Sequence, residues 1–303
     1  MKANRLKQND IVGVCAPSGY LKEKNKNDLE IAENYLNELG LKVKYGTNIY
    51  SHSCGYSASV KEKTEDINKL INDKSIKAIS FAKGGNNANS ILDNIDYIGI
   101  KNNPKIFFGF SDNTVLLNAI YKKTGLITYH FTNFKGLFEK NIEFNKQQFI
   151  DAFINGYKGN LKHNSEWKSL RDGVATGRLI GGNLGSFVKL LNTKYCPNFK
   201  NKILLIEDLG YEDGVEQISS LLYQLKMNKV FDKISGILIG NYDSEEETTI
   251  EELVMEVTKE YHFPIIKCND FGHTKTNIVL PIGLKCTIDA NKCELILNEK
   301  TTK

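Results

Sequence analysis

The sequence predicts an α/β protein, with a doubly wound parallel sheet in its first half and a smaller strand-rich unit in its second. Three observations predict this. Short apolar runs alternate with segments of helical period from Ile11 to Ile120, and polar or glycine-rich turns at Pro17, Gly84, Ser111 and His130 follow the apolar runs. Beyond about residue 168, apolar runs outnumber helical segments. The chain has 303 residues, 41% of them hydrophobic, enough for two domains or one large one.

The elements follow in order. Ile11 to Ala16 reads as a strand ending in Pro17-Ser18-Gly19. Leu29, Ala32, Leu36 and Leu39 mark one face of a helix closed by Gly40, and Leu41 to Tyr45 reads as a second strand. Val60, Ile67, Leu70 and Ile71 give another helix, Ala78 to Ala82 another strand, and Ile91 and Leu92 a short helix after Gly84-Gly85. Ile106 to Phe108, preceded by Pro104, reads as a central strand, and Val115, Leu116, Ala119 and Ile120 recur at helical spacing after it. In a parallel sheet the turns at Pro17, Gly84, Ser111 and His130 meet at the carboxyl ends of the strands, where ligands gather.

From about Asn133 to Lys168 the pattern loosens into a polar connector with one helix around Phe144 to Phe153. This divides the chain into residues 1–165, including a connector from about 134, and residues 166–303. The second part carries strands at Ala175 to Ile180, Ile203 to Ile206, Ile234 to Ile239, Pro264 to Lys267, Leu284 to Ile288 and Cys293 to Leu297. Two helices intervene, one with Val215, Ile218, Leu222 and Leu225, the other with Ile250, Leu253, Val254 and Val257.

Composition narrows the classes of function. The formal charge of +4 arises from 40 Lys and Arg against 36 Asp and Glu, with the lysines scattered, which gives nucleic-acid binding little footing. Six cysteines lie far apart with no C-x-x-C pair, the pattern of reduced thiols in a cytoplasmic protein. Residues 1–10 hold no apolar signal region and no later run reaches membrane-spanning length, so neither export nor a membrane partner is expected.

Ser111 draws attention as a serine at a strand-to-helix turn, the way a hydrolase presents a nucleophile. Gly109 leaves room for the bend, and the following helix aims free N–H groups at anything bound there. On this stretch alone an ordinary N-cap is the commoner reading. A nucleophile needs a base with a partner to hold its tautomer. Of five histidines, His52, His163 and His262 read as surface residues, whereas His130, ending the strand Ile127 to Tyr129, and His273, in the turn Asp270 to Thr274, both remain candidates. Glu207-Asp208 closes the apolar run Ile203 to Ile206, and a carboxylate at a buried strand end calls for a hydrogen-bonding or cationic partner. Lys83-Gly84-Gly85-Asn86-Asn87 could turn backbone amides into the same cleft, as an oxyanion hole requires. There is no H-E-x-x-H, no cysteine–histidine cluster and no Walker motif. Three S-x-x-K matches, Ser80/Lys83, Ser165/Lys168 and Ser186/Lys189, are what a lysine-rich chain produces by chance.

Together these turns resemble the LD-carboxypeptidase family of serine peptidases, which includes muropeptide carboxypeptidases and microcin C self-immunity hydrolases. Six motifs carry the resemblance over nearly the whole chain: Val14-Cys15-Ala16-Pro17-Ser18; Gly84 to Ser90 with Leu92 and Asp96-Tyr97; Pro104 to Thr114; Gly177 to Leu184; Leu205-Ile206-Glu207-Asp208; and Gly272-His273-Thr274 before Leu280-Pro281-Ile282-Gly283. The resemblance implies a flavodoxin-like N-terminal domain, a smaller strand-rich C-terminal domain and a homodimer. It implies a nucleophile at Ser111, a base at His273, an orienting acid at Glu207 and oxyanion N–H groups at Gly85 and Asp112. The implied activity is hydrolysis of an amide near the free carboxylate of a small peptide-like substrate, with no metal or organic cofactor. A binding protein using the same cleft, or a broader amidase or esterase, are the alternatives. One departure stands out: where the family has a Gly-Pro pair after the strand at Ile127, this chain has His130-Phe131-Thr132-Asn133-Phe134. The glycine turn resembles the microcin-immunity branch, while the connector carrying Trp167 is short for that branch.

Overall fold

The computed structural model describes residues 1–138, 142–209, 214–242 and 247–303. The first half forms strands β1 (Ile11–Cys15), β2 (Lys42–Tyr45), β3 (Ile76–Phe81), β4 (Ile106–Gly109) and β5 (Thr128–His130), with helices α1 (Lys26–Glu38), α2 (Val60–Asn72), α3 (Tyr97–Asn102) and α4 (Thr114–Thr124) in the crossovers. All four neighbouring pairs among β1 to β5 are parallel. The continuous apolar runs explain why: strands covered by helices on both faces need no polar side, and β4 is buried at every position. Ser59 and Glu62 start α2 with a reciprocal capping box, supplying partners to two N–H groups of its first turn.

The expected helix at Phe144 to Phe153 is α5 (Ile142–Phe149), continued by a π-helical turn over Ile150–Asn155; residues 139–141 of the expected connector lie outside the described residues. The chain then forms β6 (Gly159–Asn160), β7 (Lys168–Arg171), β8 (Val174–Asn183), α6 (Leu184–Val188), β9 (Lys202–Glu207), α7 (Val215–Met227), β10 (Gly236–Ile239), α8 (Ile250–Val257), β11 (Ile265–Lys267), β12 (Leu280–Ile282), β13 (Lys285–Asp289) and β14 (Glu294–Leu297). The second sheet runs β6-β14-β13-β8-β9-β10-β11-β7, parallel from β8 to β11 and antiparallel elsewhere.

Two short strands pair across the expected 165/166 boundary. β12 adds antiparallel to β5 at the edge of the first sheet, with Leu280 opposite His130, and β6 adds to β14 in the second. Pro281 is tolerated in β12 because an edge strand has one side with no ladder bond to make. Among the described residues no helix is long and apolar enough to cross a membrane.

Register sets the placement of the site. Cys15 lies opposite Phe81, Ser80 opposite Phe108, and Gly109 opposite His130, so the turns after β1, β3, β4 and β5 open side by side. In the second sheet Asn183 lies opposite Glu207, Ile206 opposite Ile239, and Ile239 opposite Lys267. The carboxyl ends of both sheets are joined through α4. Asn118 donates to Gly181 O at 2.9 Å and accepts from Gly181 N at 3.1 Å, while Thr114 Oγ1 accepts from Asn183 N at 3.1 Å.

Candidate active site

Ser111 occupies the bend between β4 and α4, opening a 3₁₀ turn (Ser111–Asn113) that runs into α4. Its φ is 60°, the left-handed region, which a residue with a Cβ adopts at a cost of roughly 1–2 kcal/mol. Surrounding bonds hold the bend. Asn133 Oδ1 accepts from Phe110 N at 3.1 Å and from Asn113 Nδ2 at 3.0 Å, and Asn113 Nδ2 also donates to Lys83 O at 3.0 Å. Gly84 packs directly on the serine: a Cβ there would stand 2.9 Å from Ser111 Oγ and 3.0 Å from its Cβ, so any side chain would push the hydroxyl aside.

The second sheet brings the histidine and the carboxylate. His273 Nε2 lies 3.1 Å from Ser111 Oγ and its Nδ1 lies 2.8 Å from Glu207 Oε2. With the proton on Nδ1, the ring donates to Glu207 and Nε2 is left to accept from the serine hydroxyl. The backbone around His273 is tied down at both ends of its turn. Asn241 Nδ2 donates to His273 O at 3.0 Å, and Asp270 Oδ2 accepts from Asn164 N, Ser165 N and Trp167 Nε1 at 2.9, 3.0 and 2.9 Å. Gly272, at φ 102°, admits the close approach of the carboxylate, since a Cβ would fall 2.7 Å from Glu207 Oε2.

Glu207 ends β9 with its side chain fully buried, while that of His273 is 17% exposed. Burial by itself would push the Glu207 carboxyl up; the His273 charge, aided by the contacts of His130 and His273, outweighs it and holds the group well below the usual carboxylate range. Its Oε1 faces His130 Nε2 at 3.7 Å. His130 thus lies behind the carboxylate, whereas His273 stands between carboxylate and serine.

Asp112 heads the helix after the serine, and its buried side chain fastens three segments together. It accepts from Ser18 Oγ, from Ala88 N at 2.7 Å and from Lys189 Nζ at 2.9 Å. Lys189 also donates to Asn86 O at 3.1 Å. Sequence reasoning set Lys189 aside as half of a chance S-x-x-K match, and Ser18 and Asn133 appeared in it only as parts of longer stretches; a lysine among scattered lysines and an asparagine in a polar run carry no local signal. Asn183, within the Gly177 to Leu184 motif, donates through Nδ2 to Asp208 Oδ1 at 2.9 Å. A cleft of about 220 Å³ opens over these groups, lined by Gly85, Asn86, Ser111, Asn183, Ser186, Lys189, Gln217 and His273 among others. Gly85, Ser111 and His273 thus line one cleft.

Fold and site define a two-sheet α/β protein in which a strained serine from one sheet meets a histidine and a buried glutamate from the other. The family model described as the LD-carboxypeptidase N-terminal domain matches residues 12–131, and that of the LD-carboxypeptidase C-terminal domain matches residues 176–288. A "Probable murein peptide carboxypeptidase" of Bacillus subtilis (strain 168) is 30% identical over 95% of this chain and 91% of its own. The microcin C7 self-immunity protein MccF of Escherichia coli is 28% identical over 96% of this chain and 94% of its own. A solved structure of MccF in complex with aspartyl sulfamoyl adenosine matches with a TM-score of 0.92 at 27% identity, covering 100% of both chains. The chain belongs to the LD-carboxypeptidase family.

Proposed function

We propose that this protein is a serine carboxypeptidase that hydrolyses an amide bond near the free carboxylate of a small peptide-like substrate. The observation that carries the reading is the continuous line from Ser111 Oγ through His273 to Glu207, at 3.1 and 2.8 Å. A nucleophile, a base and an orienting carboxylate within hydrogen-bond reach are what acyl transfer through serine requires. His273 Nε2 takes the hydroxyl proton as Ser111 Oγ attacks the substrate carbonyl. Backbone N–H groups of Gly85 and Asp112 hold the oxyanion, and His273 returns the proton to the departing amine. Water, deprotonated by the same histidine, then cleaves the acyl-enzyme and frees Ser111.

Two substrate classes suit the reading: murein peptides, after the Bacillus subtilis relative, and peptidyl-nucleotides of the microcin C type, after the ligand of the MccF structure. The full-length match to MccF supports the second, and the cleft of about 220 Å³ suits one terminal group of either. The six unpaired cysteines agree with action in the cytoplasm, and the family resemblance supports a homodimer. The test is mass spectrometry of the purified protein with a murein tetrapeptide and with a peptidyl-nucleotide mimic, each beside Ser111→Ala. Cleavage by the wild type and its loss in the variant, on the scale of roughly 10⁴ in kcat, is the expected result. Most of the activity surviving in Ser111→Ala would overturn the reading.

A further inference from the structure

Among the described residues, two side chains near the site carry buried polar atoms with no hydrogen-bond partner, and these atoms face each other. Glu207 is fully buried; its Oε2 is bonded to His273, but among the described residues its Oε1 has no hydrogen-bond partner. His130 is also fully buried, and among the described residues neither of its ring nitrogens has one. A buried carboxylate oxygen left without a donor is costly, and so is a buried imidazole with two idle nitrogens. His130 Nε2 lies 3.7 Å from Glu207 Oε1, longer than a hydrogen bond yet within a small side-chain shift of one. The ring has little freedom to go elsewhere. Its backbone is paired to Gly109 on one side and to Leu280 on the other, and the ring is flanked by those of Phe110 and Phe271, with centroids at 6.0 and 5.6 Å.

We infer that His130 is a positioning residue of the hydrolytic machinery, its Nε2–H held against Oε1 of Glu207 so that one carboxylate is shared between two imidazoles. The inference rests on the triad reading above. It has two consequences. The carboxylate is pinned from behind, so that Oε2 stays directed at His273 Nδ1. And the negative charge offered to His273 is divided, which leaves that histidine a weaker base than an undivided carboxylate would make it. Among the described residues, the ionisable groups that act most on Glu207 are His273 and His130; beside the His130 ring stand Phe110 from the β4 turn, Phe271 from the β11 turn and Gly182 from β8, none of which titrates. The segment in which this chain departs from the family pattern thereby acquires a role.

The test is an NMR titration of ring-labelled histidines in the intact protein, which reads the coupling whether or not any substrate is turned over. In the wild type, His130 is expected as the Nε2–H tautomer; an Nδ1–H tautomer presenting a bare Nε2 to Glu207 would overturn the inference, and this measurement needs no variant to fold. In His130→Phe, which keeps a ring but removes the donor, the His273 midpoint should rise by roughly half a pH unit or more. In His130→Gln, whose amide N–H can reach the same oxygen, it should return toward the wild-type value. The acid limb of kcat/KM should move in the same direction as the NMR midpoint. A role in packing alone would lower kcat in both variants and leave the midpoint in place, and that result would overturn the inference. Failure of the hydrolase reading is separate: it would show as activity retained by Ser111→Ala, with the titration unaffected.

Discussion

Replacing Glu207 with glutamine keeps the size of the side chain and removes its charge, which isolates what the buried carboxylate contributes. In the wild type the Oε2 acceptor lies 2.8 Å from His273 Nδ1, with no solvent at the carboxylate to screen the pair. When His273 takes the serine proton, imidazolium and carboxylate face each other with charge centres about 4 Å apart. At an effective dielectric of about 20, that attraction is worth about 4 kcal/mol in the transition state. Each 1.36 kcal/mol is a factor of ten, so the charge alone accounts for about a thousandfold in rate. The amide adds a second defect: its NH₂ can turn toward Nδ1, which forces the proton onto Nε2 and leaves nothing to accept from Ser111. We expect kcat to fall by roughly 10³ to 10⁴, measured as product appearance by mass spectrometry on whichever substrate the wild type cleaves. Glutamine retaining more than about a tenth of kcat would refute the electrostatic reasoning. The same variant reports on stability. A carboxyl held below its unfolded value, about 4.3, stabilises the fold fully above that pH, and the contribution is lost as pH falls through the lower folded value. Thermal melts of the wild type should therefore lose stability more steeply below about pH 4 than those of Glu207→Gln.

The backbone at Ser111 gives a prediction in which activity and stability part company. Ser111→Gly should abolish hydrolysis yet raise the melting temperature, because glycine adopts a φ of 60° without the roughly 1 kcal/mol that serine bears there; a lower melting temperature would show that the bend is not strained. Asp270→Ala should lower stability by about 2–4 kcal/mol in urea denaturation, since three N–H donors from Asn164, Ser165 and Trp167 lose their shared acceptor beside a buried strand end. It should also slow turnover, because that carboxylate anchors the turn that carries His273 three residues on; full activity in a destabilised protein would show that the turn holds its shape without the anchor.

What was legible in the chain followed from local pattern, and what was not followed from pairing at a distance. Ile106 to Phe108 and the helical spacing from Val115 located the bend at Ser111, since an apolar run ending where a 3.6-residue period begins has few other readings. The left-handed φ of Ser111 had no such signal, because it is imposed by Asn133, Asn113 and the backbone of Lys83. The strands β6, β7 and β12 escaped notice for a related reason: two to four residues, one of them Pro281 and several exposed, are too few to show a period of two. The histidines make the distinction sharpest. His130 and His273 are both histidines after short apolar runs, and local sequence could not rank them. The registers do. Gly109 opposite His130 places that ring at the end of the first sheet, behind the carboxylate, while the turn after β11, beside β10 and β9, carries His273 across to the serine. Glu207, closing β9 between them, has two oxygens and meets one imidazole with each, so the two candidates for a single role occupy opposite sides of one charge. An acid at a buried strand end raised the question of its partner; only the second sheet's own order, which sets the turn after β11 near β9, brings His273 to it.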